Sequence, residues 1–502
     1  MALLLGIDSG LTITKAVLFN AENGEPVAVA RKKVPQLHPQ DHHVERDLGT
    51  LWATCVEVIQ QVITKSAIDP SQIAAVSQTA HGDGLYLLDK NQNPLGNGSL
   101  SLDSRAHGIV AKWRSDGTAQ NSLAFCGQEP GVSSPAAILA WIKQHEPERY
   151  ANIGSVFSCK DYIRFCLTNA IGTDRTEAST AFTDVQTQDY SPRATNIFDL
   201  DGIFDCLAPI LNPTDIAGVV TQQAADQTGL KAGTPVAVGL HDVCASALGI
   251  NAHKLSTLSI IAGTYSINQV VSAKPVTSPH WFCRSAVEDG LWNNMSISPA
   301  SSGAYDWYVT ALLEGADGDH TKRAKEAESV LLDGTNSVFF HPFLYGSPYA
   351  QDASGSLVGL RGWHGQEHIT AAVLEGIVFN HCVHIERLSE AFEFEKVCLT
   401  GGISRNPAVA QYVADAINQE IDVADVEEAA CWGVALCAGV AVGCFENMAE
   451  AAAKITPKTT IYRPDKNRSA KARNRFESYK SQIVHLKNIW SELDRLEKGR
   501  ES

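Results

Sequence analysis

Twice along this chain a short apolar strand runs into a glycine-bearing turn and leaves it as a second strand. The first instance is Gly6 to Lys15, GIDSGLTITK, between the strand-like runs Leu3 to Asp8 and Lys15 to Asn20. The second is Ile261-Ala262-Gly263-Thr264, between Leu258 to Ile261 and Ile267 to Val271. Ala21-Glu22-Asn23-Gly24 has hairpin chemistry, and Val27 to Lys33 alternates as a third strand. Asp47 is placed to N-cap a helix carrying Leu51, Cys55, Val58, Ile59 and Val62 at helical spacing, and Ile73 to Val76 is a short buried strand. Strands joined by hairpins and followed by helix and strand predict a mixed sheet with helices packed on it.

The same order returns after Gly239. A helix is expected from about Ile369 to Phe392, then a strand Val397 to Thr400 ending in Gly401-Gly402. A helix Pro407 to Asn418, a short strand Ile421 to Val423 and an Ala-rich helix Glu427 to Val442 follow. This repetition predicts two related α/β domains meeting at a cleft, over residues 1–250 and 251–465. Residues 466–502 form a charged tail in which Phe476, Tyr479, Ile483, Leu486, Trp490 and Leu493 recur at three- and four-residue steps, an amphipathic helix with a frayed end.

Length agrees with two domains, because 502 residues exceed what one hydrophobic core supports. A net charge of -16 argues against nucleic acid and anionic membranes as partners. Leu3 to Leu5 lack a basic flank and a cleavage site, so they read as a first strand and not as a signal peptide. The apolar run Cys431 to Phe445 is too short to span a bilayer. The 12 cysteines include no C-x-x-C pair, which disfavours zinc or redox sites and fits a reducing cytoplasm.

Several residues carry candidate chemistry. A carboxylate at a strand end, Asp8, can hold Mg²⁺ through water. Gly10 permits close backbone approach to a phosphate, and Thr12 and Thr14 offer hydroxyls; an ordinary hairpin with an exposed Asp is the alternative. Gly263-Thr264 has the same form, and Gly401-Gly402, with Asn406-Pro407 opening the next helix, leaves room for a planar base or ribose. Each of these is also readable as a turn requiring positive φ; three, each after a strand, favour a nucleotide site.

Leu240-His241-Asp242-Val243 follows the apolar strand Pro235 to Gly239 and precedes the small-residue helix Ala245 to Gly249. Asp242 there is a candidate base for phosphoryl transfer to a hydroxyl, or else an N-cap, and His241 a positioning group. Gln78-Thr79-Ala80-His81-Gly82 and Asp103-Ser104-Arg105 place polar groups where sugar hydroxyls could be met. Trp141, Trp292 and Trp307 are either stacking platforms or core residues. His42-His43 are expected in a solvated loop.

These elements, in this order, resemble the FGGY family of carbohydrate kinases. The most specific passage is Gly355 to Glu375, GSLVGLRGWHGQEHITAAVLE, which matches the family's second signature at Gly355, Leu357, Gly359-Leu360, His368-Ile369, Ala372 and Glu375. The resemblance runs from Gly6 to about Gly443. It implies two actin/hexokinase-like (ribonuclease H-like) domains with a cleft between them, ATP and Mg²⁺ as ligands, and a small ketose or polyol as acceptor. By position it implies Asp8 and Asp242 near Mg²⁺, Gly10 and Thr12 in the first phosphate loop, and Asp242 as catalytic base. It further implies Gly263-Thr264 as the second phosphate loop, Gly401, Gly402 and Asn406 on the adenosine side, and Gln78, His81, Asp103 and His241 around the sugar. Relatives are often dimers, so a homodimer is one expected assembly.

Two positions depart from the family pattern. Leu11 stands where the phosphate loop usually has a threonine, and Ile138 where the first signature, here Pro135 to Gln144 with Pro135 and Trp141 kept, usually has a lysine. Leu85 to Ala106, Trp141 to Gly154 and Phe343 to Ser347 are similar to the branch acting on L-xylulose, with D-xylulose, ribulose, ribitol, erythritol and glycerol as alternative acceptors. An actin- or chaperone-like ATPase switch is the rival of another class; it predicts a further domain or a polymerising surface. A catalytically dead sensor should lack Asp8 and Asp242, and both are present.

Overall fold

The computed structural model describes residues 2–313, 320–347, 349–350, 352–454 and 458–498, and the chain divides into two compact units. The first comprises Met1–His253, Val271–Asn293 and Val426–Pro457; the second comprises Lys254–Val270, Asn294–Asp425 and Lys458–Ser502. This partition differs from the boundaries 1–250 and 251–465. The helix Ala429–Ala441, read from sequence as part of the second domain, belongs to the first unit, and the tail belongs to the second.

The first unit is built on a six-stranded sheet in the order Ile216–Val219, Pro235–Ala237, Ile73–Ala80, Leu3–Ser9, Ile13–Asn20, Pro26–Lys33. Leu3–Ser9 lies antiparallel to Ile13–Asn20, with Asp8 opposite Lys15, and parallel to Ile73–Ala80, with Asp8 opposite Thr79. All seven residues of Leu3–Ser9 are buried because helices cover both faces of the strand. Leu3, Leu5 and Ile7 pack with Val58, Ile59 and Val62 of the helix Leu48–Ser66. Leu4 points the other way, toward Gly439 of Ala429–Ala441. Each fully buried leucine contributes about 1.5–3 kcal/mol.

Local chemistry sets the ends of these elements. Asp47 accepts from the Thr50 N–H at 2.7 Å as the N-cap of Leu48–Ser66, and Ala67 closes the helix in the left-handed region at φ 52°. The strand Pro235–Ala237 leads into Asp242–Gly249, a helix of small side chains. That smallness lets Ala429–Ala441 pack almost backbone to backbone against it, with Gly433 over Ala245. The sheet and this helix pair together hold the ends of Leu3–Ser9 and of the 242–249 helix in place.

The strands of the second unit run in the order Trp292–Ser298, Ser266–Ser272, Thr257–Ala262, Lys396–Thr400, Ile421–Ala424, Thr459–Tyr462. Thr257–Ala262 is antiparallel to Ser266–Ser272 and parallel to Lys396–Thr400, repeating the hairpin-plus-parallel-strand arrangement of the first unit. The helix Gln366–Ser389 is buried nearly all round. The tail helix, Lys466–Lys498, docks through Phe476, Tyr479, Ile483, Leu486 and Trp490, whereas Leu493 is exposed. The frayed end expected beyond it falls on residues 499–502, outside the described residues.

Candidate functional site

The strand Leu3–Ser9 delivers Asp8 at its C-terminal end, largely buried. Its cross-strand partner Lys15 places Nζ 3.6 Å from the Asp8 carboxylate and 2.8 Å from Glu428. Burial raises the Asp8 carboxyl above the ordinary carboxylate range; Lys15 opposes the shift and Glu428 adds to it.

Asp242 is the first residue of its helix, and its carboxylate accepts from the Val243 N–H at 2.8 Å. His241 occupies the N-cap position and no side chain caps the helix, so the N-cap reading of Asp242 does not hold. The side chain keeps about a third of its surface, 32%, open. Its carboxyl is pushed up to about 7, chiefly by burial and next by the charge of Asp8, with Asp83 adding and the Val243 N–H opposing.

Asp8 and Asp242 are therefore near enough to repel one another, an arrangement that a divalent cation relieves. Among the described residues no group of three or more His, Cys, Asp or Glu has metal-holding geometry. Two carboxylates suit Mg²⁺, which keeps several waters and takes further oxygens from a bound phosphate.

The turn after Asp8 is held from behind. Gly10 donates to the Ile13 carbonyl at 3.0 Å. Arg46, fully buried, donates Nη2 to the carbonyls of Gly10 at 3.2 Å and Leu11 at 2.6 Å, and Gln36 donates to Leu11 at 3.0 Å. With the Leu11 carbonyl taken by these side chains, Thr12 stands exposed at the turn. Thr14 is not available as sequence suggested: it is fully buried, with its hydroxyl 2.9 Å from that of Ser9. Arg46 belongs to no motif, and nothing in the sequence marks it as the residue behind this loop.

The segment after Ile73 extends farther as strand than expected, to Ala80, so Gln78 and Thr79 lie inside the sheet. Gln78 donates to the carbonyls of Ala237 and Val238 at 3.1 and 2.8 Å, and Thr79 to Leu240 at 2.7 Å. These bonds align the strand that leads to His241 and Asp242. Gln78 is fully buried within the sheet, and its Oε1 has no hydrogen-bond partner among the described residues.

His81 is buried, with Nε2 3.0 Å from the Tyr86 hydroxyl, and is pushed down to about 3 by burial with Arg46 adding, so it is neutral. The His241 N–H donates to the Thr176 hydroxyl at 3.0 Å, and its Nδ1 lies 3.2 Å from the Asp242 carboxylate. The His241 ring rests on Gly82, where a Cβ would fall 1.9 Å from Nε2; only glycine fits there.

Asp103 is held inside the first unit. It is fully buried, its oxygens accepting from the Val44 N–H at 2.8 Å and from Arg105 Nη2 at 2.7 Å. Arg105 in turn lies 5.1 Å from the Trp141 ring centroid. Trp141 also stacks on His145 and meets the edge of His43. Its faces are thus occupied, and His43 is buried where a solvated loop was expected. Trp292 is buried and donates to the Val185 carbonyl at 2.6 Å, while Trp307 is half-buried in the helix Ser302–Trp307.

In the second unit Thr264 is exposed after Thr257–Ala262, and a Cβ on the neighbouring Gly263 would meet open space. Gly401 takes φ 110°, with its carbonyl accepting from the Ser404 hydroxyl at 2.7 Å, and Gly402 is open on its Cβ side. Asn406 caps the helix Pro407–Ile417, accepting from the N–H groups of Ala408 and Val409 at 2.8 and 3.1 Å. Its side-chain oxygen is thereby spent on the helix start.

No helix among the described residues is long and apolar enough to cross a membrane. The profile of the FGGY family of carbohydrate kinases, N-terminal domain, matches residues 3–249, and that of the C-terminal domain matches residues 258–442. The chain is 33% identical over 494 residues to the L-xylulose/3-keto-L-gulonate kinase of Escherichia coli, covering 97% of this chain and 98% of that one. It is also 33% identical over 491 residues to a probable L-xylulose kinase of Haemophilus influenzae, covering 97% and 99%. Among solved structures it shares the fold of gluconate kinase from Lactobacillus acidophilus, with TM-score 0.88, 23% identity and coverage of 98% and 99%. With both domain profiles matched in order, the chain belongs to the FGGY family of carbohydrate kinases and is a sugar phosphotransferase.

Proposed function

We propose that this kinase transfers the γ-phosphoryl group of ATP to a terminal hydroxyl of L-xylulose, giving ADP and L-xylulose 5-phosphate. The observation that carries the phosphotransfer chemistry is the nearness of Asp8 to Asp242, a partly exposed carboxyl that is raised by burial and next by the Asp8 charge. The choice of sugar rests on the two relatives named for L-xylulose. Kinases of D-xylulose, ribulose, ribitol, erythritol or glycerol are the alternatives within the same chemistry.

In this mechanism Asp242 accepts the proton of the attacking hydroxyl as the new O–P bond forms and the bond from the γ-phosphorus to the β-γ bridging oxygen breaks. The His241 ring lies beside the carboxylate, with Nδ1 3.2 Å away, and the His241–Thr176 bond fixes the backbone entering the helix. Gly10 and Thr12 present the first loop to phosphate, with Arg46 holding that loop's shape. Within the second unit, Gly263 and Thr264 are the candidate phosphate-loop residues and Gly401 and Gly402 the candidate adenosine-side residues. Asp8 and Asp242 would hold Mg²⁺, which supplies charge neutralisation on the phosphates. ATP as donor places the reaction in the cytoplasm, and a homodimer is the assembly to check by sedimentation.

The test is a coupled ADP-release assay across pentuloses, tetritols, pentitols and glycerol. L-xylulose should give the highest kcat/KM. A higher value for another sugar would reassign the substrate, and sugar-independent hydrolysis alone would remove the phosphotransfer reading.

A further inference from the structure

The first unit contains a cavity whose polar wall includes Asp83, Asp161, Glu177, Thr180 and Tyr190, with Phe182 on its apolar wall. Most of the acidic groups here are already satisfied. Asp161 accepts from Lys160 at 2.7 Å, Arg164 at 3.0 Å, Ser158 at 2.8 Å and Thr173 at 2.7 Å. Asp83 accepts from Arg284 at 2.9 Å. Glu177 is the exception: its side chain is 5% exposed, and Oε1 has no hydrogen-bond partner among the described residues. An unmet buried carboxyl oxygen is destabilising, and one kept at a cavity wall calls for a group that arrives from the cavity.

The position of Glu177 links it to the reacting end. It lies on the short helix Arg175–Ala178, capped by Asp174, which accepts from the Thr176 N–H at 2.8 Å. The neighbouring Thr176 hydroxyl accepts from the N–H of His241, the residue before Asp242. Asp83, on the same cavity wall, lies close enough to Asp242 for its charge to act there.

We infer that Glu177 is a specificity-determining residue, taking a hydroxyl at the end of the sugar remote from the phosphoryl acceptor, and that this cavity selects neutral ketoses and polyols over sugar acids. The inference rests on the proposed role of Asp242. Burial raises the Glu177 carboxyl well above its usual range; Lys160 opposes the shift, and Asp161, Asp174 and Asp242 add to it. The unmet Oε1 can accept a hydrogen bond from a sugar hydroxyl that enters the cavity. A substrate carboxylate in the same place would meet Asp83 and Asp161 with no lysine or arginine lining the cavity among the described residues.

The experiment compares wild type, Glu177→Ala and Glu177→Gln in steady-state kinetics with L-xylulose, the other neutral sugars of the screen, and 3-keto-L-gulonate as the sugar acid. Glu177→Ala should lower kcat/KM for the preferred neutral sugar about tenfold or more, through KM, with the ATP KM unchanged. Glu177→Gln, which also donates and accepts, should stay within about threefold, and wild type should favour the neutral sugar over the acid by about tenfold. Glu177→Ala within about threefold of wild type on every sugar, or equal use of the acid by wild type, overturns the inference. If Glu177→Ala melts below the assay temperature, Glu177→Asp, which withdraws the carboxyl by one methylene, is judged by the same criterion. A wild type active on a different neutral sugar sinks the L-xylulose reading and leaves Glu177 to be judged on that sugar; one active on none overturns both.

Discussion

Gly433 faces Ala245 so closely that a Cβ on Gly433 would lie 1.9 Å from the Ala245 carbonyl oxygen. The obstructing atom is backbone, so no side chain can rotate away, and the two helices would have to separate. Asp242 sits on the first turn of the displaced helix. Gly433→Ala should destabilise the protein by about 2 kcal/mol or more. Thermal melting should show a clear fall in Tm, and turnover measured well below that Tm should fall as well. An unchanged Tm would mean the helices are not so tightly apposed.

Asp242→Asn keeps the shape of the side chain and removes its basicity. Sugar-dependent ADP release should fall by about 10²- to 10⁴-fold, the usual contribution of a general base. Calorimetric titration with ATP should show binding largely retained. Near-normal turnover would remove Asp242 from the reaction.

The same substitution has a pH-dependent signature in stability. The Asp242 carboxyl is raised to about 7 in the folded protein, while an unfolded aspartate titrates near about 4. Between those values the folded state holds a proton that the unfolded state has released, so this group makes stability fall as pH rises from about 4 to about 7. In metal-free buffer, Asp242→Asn should therefore raise Tm at pH 8, with the gain shrinking toward pH 4. A constant difference across that range would contradict the shift.

In the second unit Arg475 of the tail helix donates Nε to Glu375 at 2.6 Å and pairs its Nη2 with the other carboxylate oxygen, while the Tyr412 hydroxyl donates to Glu375 at 2.5 Å. Removing the guanidinium strands a buried carboxylate. Arg475→Met should cost about 3 kcal/mol or more, read as a lower midpoint in urea unfolding. A loss below about 1 kcal/mol would mark the pair as solvent-screened.

Much of the framework was legible because it is written in local chemistry. The hairpin over residues 21–24, the N-cap at Asp47 and the apolar periodicity of 48–66 each follow from neighbours in sequence, and the structure places the elements accordingly. Asp8 and Asp242 were singled out for the same reason: each ends or follows an apolar strand, where a polar side chain stands out. Gln78, Asp103 and Asn406 were singled out by motif, while the bonds their atoms make depend on the fold. The distant partners of the first two, Ala237 and Val238 for Gln78 and Val44 for Asp103, were not visible in the motifs.

Arg46 and Glu177 mark the other limit, since no spacing distinguishes either from the chain's other charged residues. Arg46 matters only because the sheet brings Gly10 and Leu11 within its reach. Glu177 stands out only because folding buries it beside a cavity with an oxygen unmet. The sequence by itself determined the repeated strand-and-turn plan and the family, because hydrophobic period and turn chemistry act between near neighbours. The tertiary structure alone decided which unit owns Ala429–Ala441, which polar groups are spent on support and which face open space. Burial and the meeting of distant segments exist only once the chain has closed on itself.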